Sequence, residues 1–533
     1  MSDSSRNGVQ LVHCLRYLRI EVEADEGRLR ISAPPGTLTD PIRDAVRTHK
    51  AAVLEALSRQ SRGEEQAMEL PLSFEQERVW LAQQLAPKSA LFNLALAFDI
   101  TGPMYPPTLA QALTDIVYRH EVLRTVYRNG VEPTQAVKPP ERAPLAVVNL
   151  ASIESKHREG VARRLMSREA HRPFDLTRDL MIRAVLMRLA PRRYFLLIVR
   201  HHIAADGWSL GLFLRDVVFA YEAFRLGRPA AVRAPAMQYA RYAVLQRLVS
   251  SERTIAKQLE YWRSKLQGAD PTLFPQAGQS DGGAIETHTL APDVARRISN
   301  WCRDQQATVF STYLAAFLII LQHRSGRSDL LIGTDYASRD SVASESVIGM
   351  FVRRLPLRCQ LRDEWNVLDL VRHLQRVTFE ACSHASVPLE QLATMLGGRR
   401  SGSRLFQVMF GMHGPPVHAP YRDLNLHGTQ RCELLEVAIG PNEFPLNFYI
   451  SDAASGPVVE LRYDTACFAS AEIKRLLLQY EDLLKTIGAG SRPPLQQLTG
   501  RLVAAERDAV AEFSRIKSRR LARRIVTNKG ARQ

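Results

Sequence analysis

The chain has 533 residues, 45% hydrophobic and 24% charged, which are the values of an ordinary globular protein with room for two or three cores. Met1 to Gln10 is polar without an apolar signal core, and Val309 to Leu321, the most apolar helical stretch, is too short to span a bilayer; a cytoplasmic protein is expected. The formal charge of +16 favours acidic partners without naming one.

In chain order, the first sixty residues read as a separate module. Leu11, Leu15 and Leu18 share one helical face, after which Ile20, Val22 and Ala24, then Leu29 and Ile31, alternate with charged residues around Asp25-Glu26-Gly27, the pattern of a β-hairpin. A second helix starts at Asp40-Pro41, where Asp40 can accept first-turn N–H groups and Pro41 needs no donor; Ile42, Ala45, Val46, His49, Val53 and Leu57 form its stripe. Residues 58–66 read as a linker, although an N-terminal extension of the main fold is the alternative.

From Leu70 onward helices and strands alternate in a mixed α/β pattern. Met181 to Ala190 and Tyr194 to Arg200 read as a hairpin whose second strand, apolar on both faces, is central and delivers His201 and His202. A helix over Ser209 to Arg225 ends at Gly227. A basic helical stretch, Gln238 to Gln267, precedes a second half with a buried helix at Thr308 to His323 and strands at Asp329 to Thr334 and Phe406 to Met412. Elements of similar size recur in both halves without a residue-level repeat.

The six cysteines, Cys14, Cys302, Cys359, Cys382, Cys432 and Cys467, show neither a C-x-x-C pair nor zinc spacing, so no metal is expected. Eight basic residues and no acidic one lie between Arg515 and the end. Such a block stays solvated, clamps the body, or holds an acidic partner or nucleic acid. No nucleic-acid-reading fold accompanies it.

His201-His202-x-x-x-Asp206-Gly207 is the segment that can carry chemistry. Successive side chains of a strand point to opposite faces, so one histidine meets reactants while the other packs. An imidazole suits general-base work near neutral pH. Asp206 can orient the loop or pair with an arginine, and Gly207 permits close backbone approach. By itself the segment fits a structural histidine pair more readily than catalysis, and a metal site least.

With its neighbours, the segment resembles the condensation domains of nonribosomal peptide synthetases, which share the chloramphenicol acetyltransferase fold, from about Leu70 to Leu498. Ser73-Phe74-Glu75-Gln76-Glu77-Arg78-Val79-Trp80 is similar to the family's S-x-A-Q-x-R-L-W with Glu75 for Ala, and Arg119-His120-Glu121-Val122-Leu123-Arg124-Thr125 matches R-H-E-x-L-R-T. Pro173-Phe174-Asp175-Leu176, Tyr261-Trp262 with Leu266, and Leu405 to Phe410 are further hallmarks. Departures are Arg353-Arg354 for Asn-Thr after Ile348-Gly349-Met350-Phe351-Val352, His384 to Glu390 for H-Q-D-Y-P-F-E, and Arg241 and Leu245 for the Asp and Trp of Y-x-D-Y-A-V-W. They put peptidyl substrates in doubt. The first sixty residues are similar to β-hairpin docking domains that capture the C-terminal tail of an upstream carrier protein.

The resemblance implies an α/β acyltransferase of two chloramphenicol-acetyltransferase-like halves forming a V-shaped pseudo-dimer, preceded by a small α+β docking domain. The expected divisions are a docking domain (1–60), a linker (61–69), an N-terminal half (70–250), a C-terminal half (251–500) and a basic tail (501–533). A tunnel between the halves would admit the phosphopantetheine arms of acyl or peptidyl carrier proteins, with no cofactor bound covalently. His202 would orient or deprotonate the acceptor, His201 would support it, and Asp206 would be structural, paired with Arg119 or Arg339. Arg124 is placed among the supporting arginines. Arg28 and Arg30 would select acidic tail residues at the hairpin edge, where charge alternatively serves only against aggregation.

Leu396-Gly397-Gly398-Arg399-Arg400-Ser401 is similar to a carrier attachment loop, but its serine is displaced by one residue and no phosphopantetheine site is read there. No adenylation domain is expected. In this the chain resembles free-standing, chain-releasing condensation enzymes such as that of enacyloxin biosynthesis, which implies ester formation with a small hydroxy-acid acceptor; the alternatives are an amide formed with an amine acceptor on a carrier and a non-catalytic adaptor that recruits carriers. Arg353 and Arg354 would hold the acceptor carboxylate or lie on the surface. A monomer is expected.

Overall fold

The computed structural model describes residues 3–25, 27–60, 68–130, 132–232, 234–250, 252–274, 282–395, 405–413, 431–437, 442–453, 456–490, 492–504 and 507. The basic block after Arg515, the stretch Leu396 to Ser401 and most of the expected linker lie outside the described residues.

In the N-terminal module the first helix begins at Asp3 and runs to Tyr17. Strands Glu21–Asp25 and Arg28–Ser32 pair antiparallel, with Asp25 opposite Arg28 across a turn where Gly27 has φ +75°. The expected second helix is two, Asp40–Thr48 and Lys50–Gln60, broken at His49. Their stripes serve different neighbours: Ile42 and Val46 face helix Tyr239–Val249, whereas the second packs on the first helix so closely that a Cβ at Gly8 would stand 2.1 Å from the Ala52 carbonyl oxygen.

The N-terminal half is built on a five-stranded sheet in the order Arg431–Leu435, Asn93–Thr101, Arg193–His201, Ile182–Ala190, Leu145–Asn149. The strand that ends at His201 is therefore central, and residues 194–201 are all buried, as its two-sided apolar sequence requires. Helices Pro106–Arg119 and Gly207–Arg225 pack together, and Ser155–Ala170 packs on the sheet. The C-terminal half carries a six-stranded mixed sheet in the order Gly283–Thr289, Val458–Asp464, Leu446–Ser451, Val408–His413, Asp329–Ala337, Val352–Gln360. Against it lies helix Val309–Ser325, in which every residue from Ser311 to Leu321 is buried, and Gly326 ends the helix in the left-handed conformation. Among the described residues no single helix is long and apolar enough to cross a membrane.

The halves exchange chain across the boundary expected at 250/251. Val347, Ile348, Met350 and Phe351 belong to the core of the N-terminal half, and strand Arg431–Leu435 extends that half's sheet by pairing antiparallel with Asn93–Thr101.

Candidate active site

The end of the central strand separates the two histidines. His201, its last residue, is 1% exposed and lies between the rings of Phe92 and Phe174, 6.2 and 5.5 Å away. Burial, with His202 and Arg183 nearby, lowers its pKa to about 3, so it packs as a neutral ring. Its Nδ1 accepts the Ile203 N–H at 3.3 Å.

His202 opens the short turn His202–Ala204, its own N–H donating to the Phe92 carbonyl at 2.8 Å. Its Nδ1 donates to the Ala205 carbonyl at 2.8 Å, a tautomer assigned from that carbonyl partner, which leaves Nε2 as the basic nitrogen. Burial first, then Arg78 and Arg354, hold its pKa below the ordinary imidazole value, against the Ala205 hydrogen bond and Asp206. A neutral imidazole with an unprotonated Nε2 is the form that accepts a proton.

Asp206 is fully buried and caps helix Gly207–Arg225: Oδ1 accepts the Ser209 N–H at 2.8 Å and the Ser209 hydroxyl at 2.6 Å. Its carboxylate also takes the Phe351 N–H at 3.1 Å and the Arg339 guanidinium at 3.1 and 3.2 Å. Arg339 is thus its partner and Arg119 is not, for Arg119 bonds Asp115 one helical turn away and the Val232 carbonyl. Gly207 is the first residue of the helix. Arg124, also buried, stands 3.8 Å from Glu121. Arg28 and Arg30 are exposed on the second hairpin strand, with Arg30 3.4 Å from Asp25.

Arg353 and Arg354 are not surface residues. Arg353 bonds Glu75 at 2.7 Å, the Ala385 carbonyl at 3.0 Å and the Tyr242 hydroxyl at 3.3 Å, across the seam between the halves. Glu75 and Arg353 both replace neutral residues of the family pattern, so the two departures form one ion pair. Arg354 pairs with Glu443, and Arg78 of helix Phe74–Leu85 approaches the same carboxylate oxygen at 3.4 Å. Burial raises the Glu443 pKa, but Arg354 and Arg78 more than reverse this and bring it to about 2. The shared carboxylate leaves Arg78 under-compensated: burial and the neighbouring Arg354 lower its pKa.

Arg78, Arg353 and Arg354, with Phe74, Glu75 and the loop from Ala385 to Glu390, line a small open recess of about 30 Å³. Arg78 and its partner Glu443 are not among the residues to which the sequence assigns a role. Arg78 lies within the opening motif and carries a usable signal, one turn from Phe74 at the start of a helix; Glu443, in an irregular stretch, carries none. Among the described residues no group of three or more His, Cys, Asp or Glu is placed to hold a metal ion.

A condensation-domain model matches residues 66–504, and a TubC N-terminal docking-domain model matches residues 9–59. The chain belongs to the condensation-domain family, the acyltransferases of nonribosomal peptide synthesis that move carrier-bound acyl groups. Its N-terminal module is a docking domain of the TubC type.

The chain is 32% identical over 459 residues to a linear gramicidin synthase of Brevibacillus parabrevis, covering 84% of this chain but 9% of that protein. It is 30% identical over 431 residues to the phosphinothricin tripeptide synthetase PhsC of Streptomyces viridochromogenes, covering 79% of this chain and 39% of the relative. The chain therefore spans a small part of these relatives. Among solved structures, the X-domain from teicoplanin biosynthesis is similar at TM-score 0.69 and 26% identity, over 80% of this chain and 97% of that one. The first condensation domain of the calcium-dependent antibiotic synthetase shares the fold at TM-score 0.68 and 20% identity, over 81% and 99%.

Proposed function

We propose that this protein transfers an acyl chain, polyketide or peptidyl, from the phosphopantetheine thioester of a carrier protein to the hydroxyl of a small carboxylate-bearing acceptor, releasing the chain as an ester. His202 Nε2 takes the hydroxyl proton as the oxygen attacks the thioester carbonyl. The C–O bond forms, the C–S bond breaks, and the leaving thiolate recovers the proton. Holding both reactants at one centre contributes much of the acceleration, and proton transfer contributes about 10² to 10⁴-fold.

The observation that carries this reading is the His202 ring, whose Nδ1 is held by the Ala205 carbonyl at 2.8 Å so that Nε2 is the basic nitrogen; Arg78 and Arg354, two cations that share the one Glu443 carboxylate, act on it electrostatically and suit an anionic acceptor. Arg353, committed to Glu75, is assigned to the seam. The exposed Arg28 and Arg30 suit capture of an acidic carrier tail by strand addition.

His202→Ala is expected to leave a folded protein that binds carrier but loses at least about 10²-fold in transfer, read by intact-mass analysis of an acyl-loaded carrier mixed with candidate acceptors. Near wild-type turnover would remove the base from the mechanism. Arg354→Lys, which keeps the charge near Glu443, is expected to raise the acceptor KM more than it lowers kcat. An amine acceptor on a second carrier, giving an amide, is favoured by the name of the tripeptide synthetase relative. In the same mass measurement it appears as the acyl mass moving onto that carrier.

A further inference from the structure

Helix Tyr239–Val249 has two occupied faces. Ala240 and Val244, both buried, and the flanking Leu245 and Leu248 share one apolar cluster with Leu11, Leu15, Ile42 and Val46 of the N-terminal module. Polar pins flank it. The Tyr17 hydroxyl donates to Glu121 at 2.5 Å, Arg241 and Arg124 lie near that phenol, and the Glu69 N–H donates to the His13 ring at 3.2 Å. Arg241 and Leu245 are the two departures from the family pattern in this helix, and both stand at the junction with the module.

The opposite face reaches the seam beside the active site. Tyr239 bonds Ser73 at 2.7 Å and the Met350 carbonyl, Tyr242 meets Arg353, and Gln246 donates to Glu75 at 2.9 and 3.0 Å. One helix thus touches the docking module on one side and, on the other, Glu75 and Arg353 of the recess that Arg78 and Arg354 also line.

We infer that the docking module is a fixed mount: seated on helix Tyr239–Val249 and pinned at Glu121, it holds a captured carrier protein at one standing orientation to the His202 centre. This rests on the reading that the hairpin captures a carrier. A module on a free tether would raise only the carrier's local concentration, whereas an apolar seat of this kind resists relative motion and fixes direction as well.

The test uses the full chain with Tyr17→Cys and Glu121→Cys joined by a short bismaleimide. A seated module gives a high yield of intramolecular link, absent from either single variant, and Val244→Asp lowers that yield and increases the radius of gyration in solution scattering. Leu245→Glu, at the rim of the seat, repeats the measurement should the first variant unfold, as judged by its thermal melt. Linked enzyme is expected to keep transfer from an acyl-loaded carrier with its native tail within about twofold of the unlinked double variant. A link yield no higher than in the single variants, or a loss of about tenfold or more on linking, overturns the mount. Equal transfer from tailed and tail-less carriers would instead overturn capture by the hairpin, and the link yield would still report the seat.

Discussion

At the residue scale, the protonation of His202 sets the pH response. Its pKa is held below 6.5, first by burial and then by Arg78 and Arg354, so the unprotonated base persists as pH falls and is lost only on passing through the lowered value. The acid limb of kcat/KM is therefore expected below pH 6.5, and removing one cation by Arg354→Gln should move it upward. A profile measured on both proteins checks this, and a downward shift would contradict it. His201 acts on stability with a defined sign. Its folded pKa is depressed to about 3, so the associated stability is complete above the unfolded value of 6.5 and is lost as pH falls from there towards 3. Asp206→Ala or Arg339→Ala leaves a buried charge unpaired and is expected to cost about 3 to 5 kcal/mol, read from urea midpoints. That one of the two histidines packs is legible in the sequence because strand alternation is local; that it is His201 is shown by its burial. The choice of Arg339 over Arg119 is not, since it depends on where Val347 to Phe351 folds back.

At the scale of elements, Glu75 on helix Phe74–Leu85 and Arg353 on strand Val352–Gln360 lie 278 positions apart and meet at 2.7 Å. Each looks like an isolated departure in the sequence, because nothing local marks a partner so distant. Helices are more readable: those expected at Ser209 to Arg225 and Thr308 to His323 end within two residues of Gly207–Arg225 and Val309–Ser325, which Asp206, Thr308 and Gly326 cap. The break at His49 is hidden in one continuous stripe because Ile42 and Val53 fit the same period, although they pack on different neighbours. Glu75→Ala or Arg353→Asn alone strands a buried charge, at about 3 to 5 kcal/mol, whereas the double variant restores the neutral family pattern. The double variant is accordingly expected to be more stable than either single one. A double-mutant cycle of thermal or urea unfolding measures this, and additive losses would refute it.

At the scale of the whole molecule, the two halves share their cores. The mixed α/β class and the two-half organisation follow from the alternation of elements, but the exchange does not. Arg431–Leu435 is five residues long, mostly exposed, and carries no signal of which sheet it joins. Residues 66–250 alone lack Met350, Phe351 and that strand, so they are expected to be largely insoluble, and co-expression with the remaining chain should recover soluble protein in a pull-down. A soluble, cooperatively melting fragment 66–250 would show that the exchanged segments are dispensable for folding.

The pairing of Arg431–Leu435 with Asn93–Thr101 also sets a timetable for synthesis. At about 10 residues per second, the edge of Asn93–Thr101 waits roughly half a minute for a partner translated more than three hundred positions later. Throughout that interval the nascent protein carries an open sheet edge, the kind of surface that recruits the edges of neighbouring chains. Yield of active protein should therefore depend on how crowded the ribosomes are, and less frequent initiation or added chaperone should raise it.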